Sequence, residues 1–264
     1  MKRYRYRILN LIIVSTYLSM FIMATVAALG EPNHYTSKVR LSFYKDFENE
    51  TLGNSICVFI NQLIYTYQYE FPFLASGMIG ILYYEFSEFL HQFHEDLKLQ
   101  FKSLNHNKIG SLQQVHTFLY QVGLEVQNGT SMICFVIICC QMTSMYVTLS
   151  VFNVFIKKKF SSSSICRMIL SFILGPGSLA CLTLCSSKIS TQFQKVQRTI
   201  LLLKDELIRR ELLESKVFDS LNTMLEKQIN VMTASGFVEL TPKSLLAMIG
   251  SLISYTLLIV NLKQ

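Results

Sequence analysis

The chain has 264 residues, a formal net charge of +7 and a mean hydropathy of +0.36. Hydrophobic residues make up 51% of it and charged residues 16%, against about 25% charged in soluble domains, which excludes a soluble globular protein and predicts an integral membrane protein. The basic residues gather at the ends of apolar segments, so the charge reads as membrane topology and not as a nucleic-acid surface. The sequence holds no nucleotide-binding glycine loop, no HExxH, no GxSxG and no Ser/His/Asp arrangement with supporting context, so neither an enzyme nor a cofactor is expected.

In chain order, five spans are predicted, at 8–29, 56–90, 132–156, 165–186 and 245–262. The expected fold class is all-α: a polytopic bundle with amphipathic cytoplasmic helices. The first span follows the basic start Met1-Lys2-Arg3-Tyr4-Arg5-Tyr6-Arg7, which the positive-inside rule places in the cytoplasm. A signal peptide also starts with basic then apolar residues, but this apolar stretch exceeds the 7–15 residues of a typical signal core. Either reading leaves residue 31 onward outside. The sequon Asn49-Glu50-Thr51 then faces the secretory lumen and is the expected glycosylation site. The sequon at Asn128 falls at a cytoplasmic edge and should be silent.

The second span is long. At 1.5 Å per residue it covers about 50 Å, more than the roughly 30 Å of a hydrocarbon core. Its outer half carries Asn61, Gln62, Tyr65, Tyr67, Gln68, Tyr69 and Glu70. Two readings stand side by side: an aromatic belt at the headgroups, or a polar vestibule that stacks and hydrogen-bonds a ligand. Glu70 favours the second, because an acidic group that far along a span marks a functional position. Pro72 here, and Pro176 in the fourth span, should kink or unwind their helices. Just beyond the span, Glu88, His91, His94 and Glu95 share helical spacing. A metal site is conceivable there, but no third ligand is evident, and the group reads as a wet helix end just past the membrane.

Segments 91–126 and 188–232 read as amphipathic helices. In the second, Ile200, Leu203, Leu207, Leu212, Val217, Leu221, Leu225 and Ile229 form an apolar stripe. Such a helix lies on a membrane surface or packs against identical neighbours, and periodicity does not separate the two. The basic segment 187–244 is expected in the cytoplasm, against which Lys157-Lys158-Lys159 would lie outside. Five of the seven cysteines (Cys134, Cys139, Cys140, Cys181 and Cys185) read as small membrane hydrophobes. Cys57 and Cys166 fall at outer helix ends, and whether they pair cannot be deduced from spacing. The expected divisions are a transmembrane bundle over 1–186, cytoplasmic helices over 187–244 and a last helix over 245–264.

That last helix is amphipathic in an unusual way. Ser254, Leu258 and Asn261 share one face of an otherwise apolar span, and a polar stripe inside a bilayer must meet protein or water. Its closing residues Ser254-Tyr255, then five residues, then Asn261-Leu262 resemble the C-terminal signature of the insect gustatory receptor family, Thr-Tyr, five hydrophobic residues, Gln-Phe. The spacing is intact and three of the four signature residues are conservative replacements. The small residues before Gly236-Phe237 and the acidic-Leu-Thr turn at Glu239-Leu240-Thr241 also fit. The resemblance implies a seven-span, tetrameric, ligand-gated, non-selective cation channel of the plasma membrane, of which this chain matches the later five spans. The termini would be cytoplasmic (N) and extracellular (C), and the cytoplasmic helices would gather into a shared anchor. It further implies that Asn261 faces the ion path, Leu258 forms the gate and Ser254 continues the polar stripe, with Tyr255 packed on a neighbouring helix. A small tastant or odorant would bind near Gln62, Tyr65, Tyr69 and Glu70, with Tyr146 of the third span. The competing expectation is a non-conducting accessory or scaffold protein that keeps the fold without gating.

Overall fold

The computed structural model describes residues 14–15, 17–19, 21–23, 25–26, 50–103, 109–155, 162–209, 215–227 and 231–261. The described residues are all-α apart from one two-stranded hairpin. The elements are α1 (Glu50–Tyr65), a π-helical turn (Thr66–Glu70), α2 (Phe71–Ser103), α3 (Ile109–Phe155), α4 (Ser162–Arg209), α5 (Ser215–Glu226), β1 (Thr233–Ala234), β2 (Val238–Glu239) and α6 (Pro242–Asn261). The described residues of the first expected span are helical. Asn49, Lys157 to Lys159, Leu212, Ile229 and Leu262, and the side chain of Cys57, lie outside the described residues.

Among the described residues, three helical stretches are long and apolar enough to cross a membrane: Ile109–Val151, Ile165–Arg209 and Pro242–Asn261. They contain the fourth expected span and most of the third and fifth, and they make this a membrane protein. The second expected span is helical throughout but is not among them: the π turn divides it into α1, 16 residues long, and the start of α2, where Glu85 and Glu88 dilute the apolar content. The π-helical turn answers the Pro72 expectation. Proline lacks an N–H and its ring crowds the carbonyl one turn back, and a local π register just before it absorbs the misfit. At Pro176 no unwinding occurs, and α4 runs through it. The Ser178 hydroxyl donates to the Leu174 carbonyl at 2.7 Å, adding a bond beside the one that proline removes.

With 47 and 48 residues, α3 and α4 are each about 70 Å long. The amphipathic stretches expected as separate cytoplasmic helices are therefore mostly continuations of the apolar ones. The chain forms two compact units, one from segments 1–76, 137–179 and 248–264, the other from 77–136 and 180–247.

In the second unit, the buried positions of α2 are Tyr83, Phe86, Leu90, Phe93 and Leu97, and those of α4 include Ile189, Phe193, Val196, Ile200, Leu203 and Leu207. Both sets step by three and four residues, the spacing that lets long helices interlock. Phe86 and Phe193 meet with ring centroids 6.3 Å apart. An added Cβ on Gly80 would come 2.5 Å from Cys181 Sγ, so a side chain there would hold α2 and α4 apart. The stripe expected to face lipid or identical neighbours is buried within this chain: Ile200, Leu203 and Leu207 in α4, Val217 and Leu221 in α5. The Lys204 ammonium joins these helices, donating to Asn222 Oδ1 at 2.9 Å and lying 4.6 Å from the centre of the Phe218 ring.

The hairpin is tied to α3. Ser235 and Gly236 both have positive φ, 52° and 73°. The Ser235 amide donates to Ser131 Oγ at 2.6 Å, and that hydroxyl donates to the Thr233 carbonyl at 3.0 Å. Ser186 of α4 donates to the Leu240 carbonyl at 2.6 Å. Thr241 then caps α6: its hydroxyl accepts from the Ser244 amide at 3.3 Å, and the Ser244 hydroxyl accepts from the Thr241 amide at 3.1 Å. Pro242 fills the first helical position, where no N–H is needed.

Candidate pore surface and buried polar cluster

The first unit holds both sites expected from the sequence. α6 has 20 residues and none of them is buried. One face of it docks on α3. The Tyr146 hydroxyl donates to Ser251 Oγ at 2.8 Å, Ser150 Oγ and the Tyr255 hydroxyl are 2.7 Å apart, and the rings of Tyr146 and Tyr255 meet edge to face at 4.9 Å. The half-buried residues Met248, Leu252, Tyr255, Thr256 and Ile259 follow helical spacing along this docked side. Ser254, Leu258 and Asn261 lie on the other side and are exposed, Leu258 at 56%. Gly250 and Leu257 share that side. Tyr255 packs edge to face on Tyr146 of α3, so Tyr146, grouped by the sequence with the ligand candidates, lies in this α3–α6 seam.

The other candidates separate by burial. Tyr65, Tyr69 and Glu70 are buried, at 0%, 2% and 1% exposure, while Gln62 is half-buried and Tyr67 and Gln68 are exposed. Tyr65 and Tyr69 tilt together at 5.8 Å and pack with Cys166 and Leu170 of α4, with Met23 and Leu174 at the edge. Tyr69, one turn after Tyr65, would share its buried face in any helix, whereas Glu70 comes to that face through the π turn, which offsets it from the α-helical register of α1. Neither carboxylate oxygen of Glu70 has a geometrically satisfied hydrogen bond, and Gln62 Oε1 is likewise buried without one.

Sequence reasoning missed the far wall of this cluster. Gln141 of α3 is 1% exposed, and both polar atoms of its amide lack a partner. Ser144 and Ser171, buried hydroxyls on α3 and α4, are 3.4 Å apart. Ser144 is within hydrogen-bonding reach of the Tyr69 phenol, and the Arg167 guanidinium acts on it electrostatically. An added Cβ on Gly175 would come 3.1 Å from Met145 Sδ and 3.4 Å from Gln141 Oε1, so glycine lets α4 approach the amide. The available signal was the spacing Gln141, Ser144, Thr148, a polar stripe in the middle of an apolar helix. Most buried polar groups in proteins are hydrogen-bonded, and unmet ones call for a water, an ion or a ligand.

At the far end of α2, Glu88 pairs with Lys188 at 2.9 Å, and Lys188 also lies 4.1 Å from the centre of the Tyr84 ring. Burial pushes the His94 imidazole below the usual histidine range, and the Lys98 ammonium acts in the same direction.

No model of a known protein family matches the chain, and no curated protein matches it significantly.

Proposed function

We propose that this chain is a subunit of a gustatory-receptor-like, ligand-gated cation channel of the plasma membrane. Four copies would surround an ion path lined by α6. The observation that carries the reading is the α6 surface: an apolar helix, docked on α3 by one side, with Ser254, Leu258 and Asn261 exposed on the other. In a bilayer that side needs protein or water against it. A ring of Leu258 side chains can close a path by dewetting, and a ring of Asn261 amides can offer carbonyl oxygens to passing cations.

The topology that goes with this reading has five spans, a cytoplasmic N-terminus and an extracellular C-terminus. The second unit, with its charged helix ends, then serves as the cytoplasmic anchor. The ligand, a small tastant or odorant, occupies the polar cluster of Tyr65, Tyr69, Gln141, Ser144 and Ser171. The unmet amide of Gln141, which offers both a donor and an acceptor, suits a compact molecule with both donors and acceptors.

The test is whole-cell current during application of sugars, bitter compounds and volatile organics, with surface delivery followed through glycosylation at Asn49. An evoked cation current that Leu258→Ala makes constitutive and Asn261→Ala makes altered in ion preference supports the reading. Surface-delivered protein that passes no current, alone or with a full-length relative, opposes it and favours a non-conducting accessory role.

A further inference from the structure

The polar end of α2 gathers a second site that the channel reading does not use. Of the four residues grouped by spacing, Glu88 is drawn off by Lys188 at 2.9 Å. The other three converge: one ligand atom each from His91, His94 and Glu95 lie within 4.8 Å of one another. His91 and Glu95 are exposed and His94 is 6% exposed, so the group opens to solvent on one side.

His94 supplies an independent observation. Its Nε2 is 3.0 Å from Thr199 Oγ1 of α4, whereas its Nδ1 is buried with no hydrogen-bond partner. That Nδ1 stands 3.7 Å from Glu95 Oε1. Ligands held about 2.0–2.1 Å from a tetrahedral zinc stand about 3.3–3.4 Å apart, so a small side-chain rotation brings this pair to coordination distance. A metal-bound imidazole characteristically has its other nitrogen fixed by a hydrogen bond, which is the arrangement Thr199 provides. With Nε2–H donating to Thr199, the Nδ1 lone pair is free for an ion.

We infer that His91, His94 and Glu95 form a binding site for a borderline divalent cation of the zinc class, with Thr199 as a positioning residue. Two nitrogens and one carboxylate oxygen leave a fourth position for water, the pattern of an open site and not of a closed structural one. The Lys98 ammonium, 2.8 Å from Glu95 Oε1, competes with the ion for the carboxylate.

The experiment uses the full chain in detergent, without a histidine tag, titrated with Zn2+ by calorimetry and with Co2+ by visible absorption. One saturable ion per chain is expected, with cobalt d–d bands. His91→Ala and Glu95→Gln should each remove most of the affinity; both side chains are exposed, so folding is not at risk. Thr199→Val should weaken binding by roughly 10–100-fold, and Lys98→Gln should strengthen it by freeing Glu95. Absence of saturable binding, or binding unchanged in His91→Ala and Glu95→Gln, would overturn the proposal.

Discussion

Single side chains decide how α6 is held and what the buried cluster can do. Tyr146 and Tyr255 meet edge to face and each bonds a serine on the opposite helix. A double-mutant cycle with Phe and Ala replacements at both positions should give a coupling of about 0.5–1.5 kcal/mol, read from thermal unfolding in detergent. Gln141 poses a different question. A buried amide with neither atom paired is costly, and replacing it with an apolar residue of similar volume removes that cost. Gln141→Leu should therefore leave thermal stability equal or raised while abolishing ligand response. Lost stability would indicate that the amide has a structural role. At the hairpin, Gly236 has φ of 73° with open space around the position of a Cβ. Gly236→Ala should cost about 1–2 kcal/mol from backbone strain alone, measured in the same unfolding assay.

Among the elements, some ends were legible and others were not. The start of α6 was written in Thr241-Pro242-Lys243-Ser244, a cap, a proline in the first turn and a returning hydroxyl. Thr241→Ala should destabilise α6 by about 1 kcal/mol, read as faster local hydrogen exchange at Ser244. The π turn was only half legible. Pro72 announced a disturbance, but which residues it would turn inward depends on a register that proline alone does not set. The lengths of α3 and α4 were hidden for a different reason. An apolar window marks where a helix meets lipid, and nothing in the stretches before 132 or after 186 breaks the helix where the apolarity ends. Interlocking of α2 with α4 depends on Gly80, whose added Cβ would meet Cys181 Sγ at 2.5 Å. Gly80→Ala should lower the unfolding temperature, and adding Cys181→Ala should recover most of the loss because the obstructing sulfur is gone.

Over the whole chain, the membrane class and the helical fold followed from composition and apolar runs. The makeup of the polar cluster did not, because Tyr69, Ser144 and Ser171 lie far apart in sequence and meet only through helix packing. The amphipathic stripe from Ile200 to Leu221 was legible as a stripe, yet its partner was not, since the matching three-and-four spacing sits a hundred residues earlier in α2. The face of α6 stood out best: the sequence grouped Ser254, Leu258 and Asn261, and the fold leaves all three exposed on the side away from α3. The central claim is that this face borders water inside an assembly of chains. It is tested most directly by replacing the native cysteines, introducing single cysteines at Ser254, Leu258, Asn261, Ile253 and Val260, and treating intact membranes with a charged, membrane-impermeant thiol reagent. Rapid labelling is expected at Ser254→Cys and Asn261→Cys, slower labelling at Leu258→Cys, and none at Ile253→Cys or Val260→Cys, which lie off that face and meet lipid or protein. Equal protection of all five positions, or labelling that follows Ile253 and Val260 instead, would contradict a water-filled path along α6.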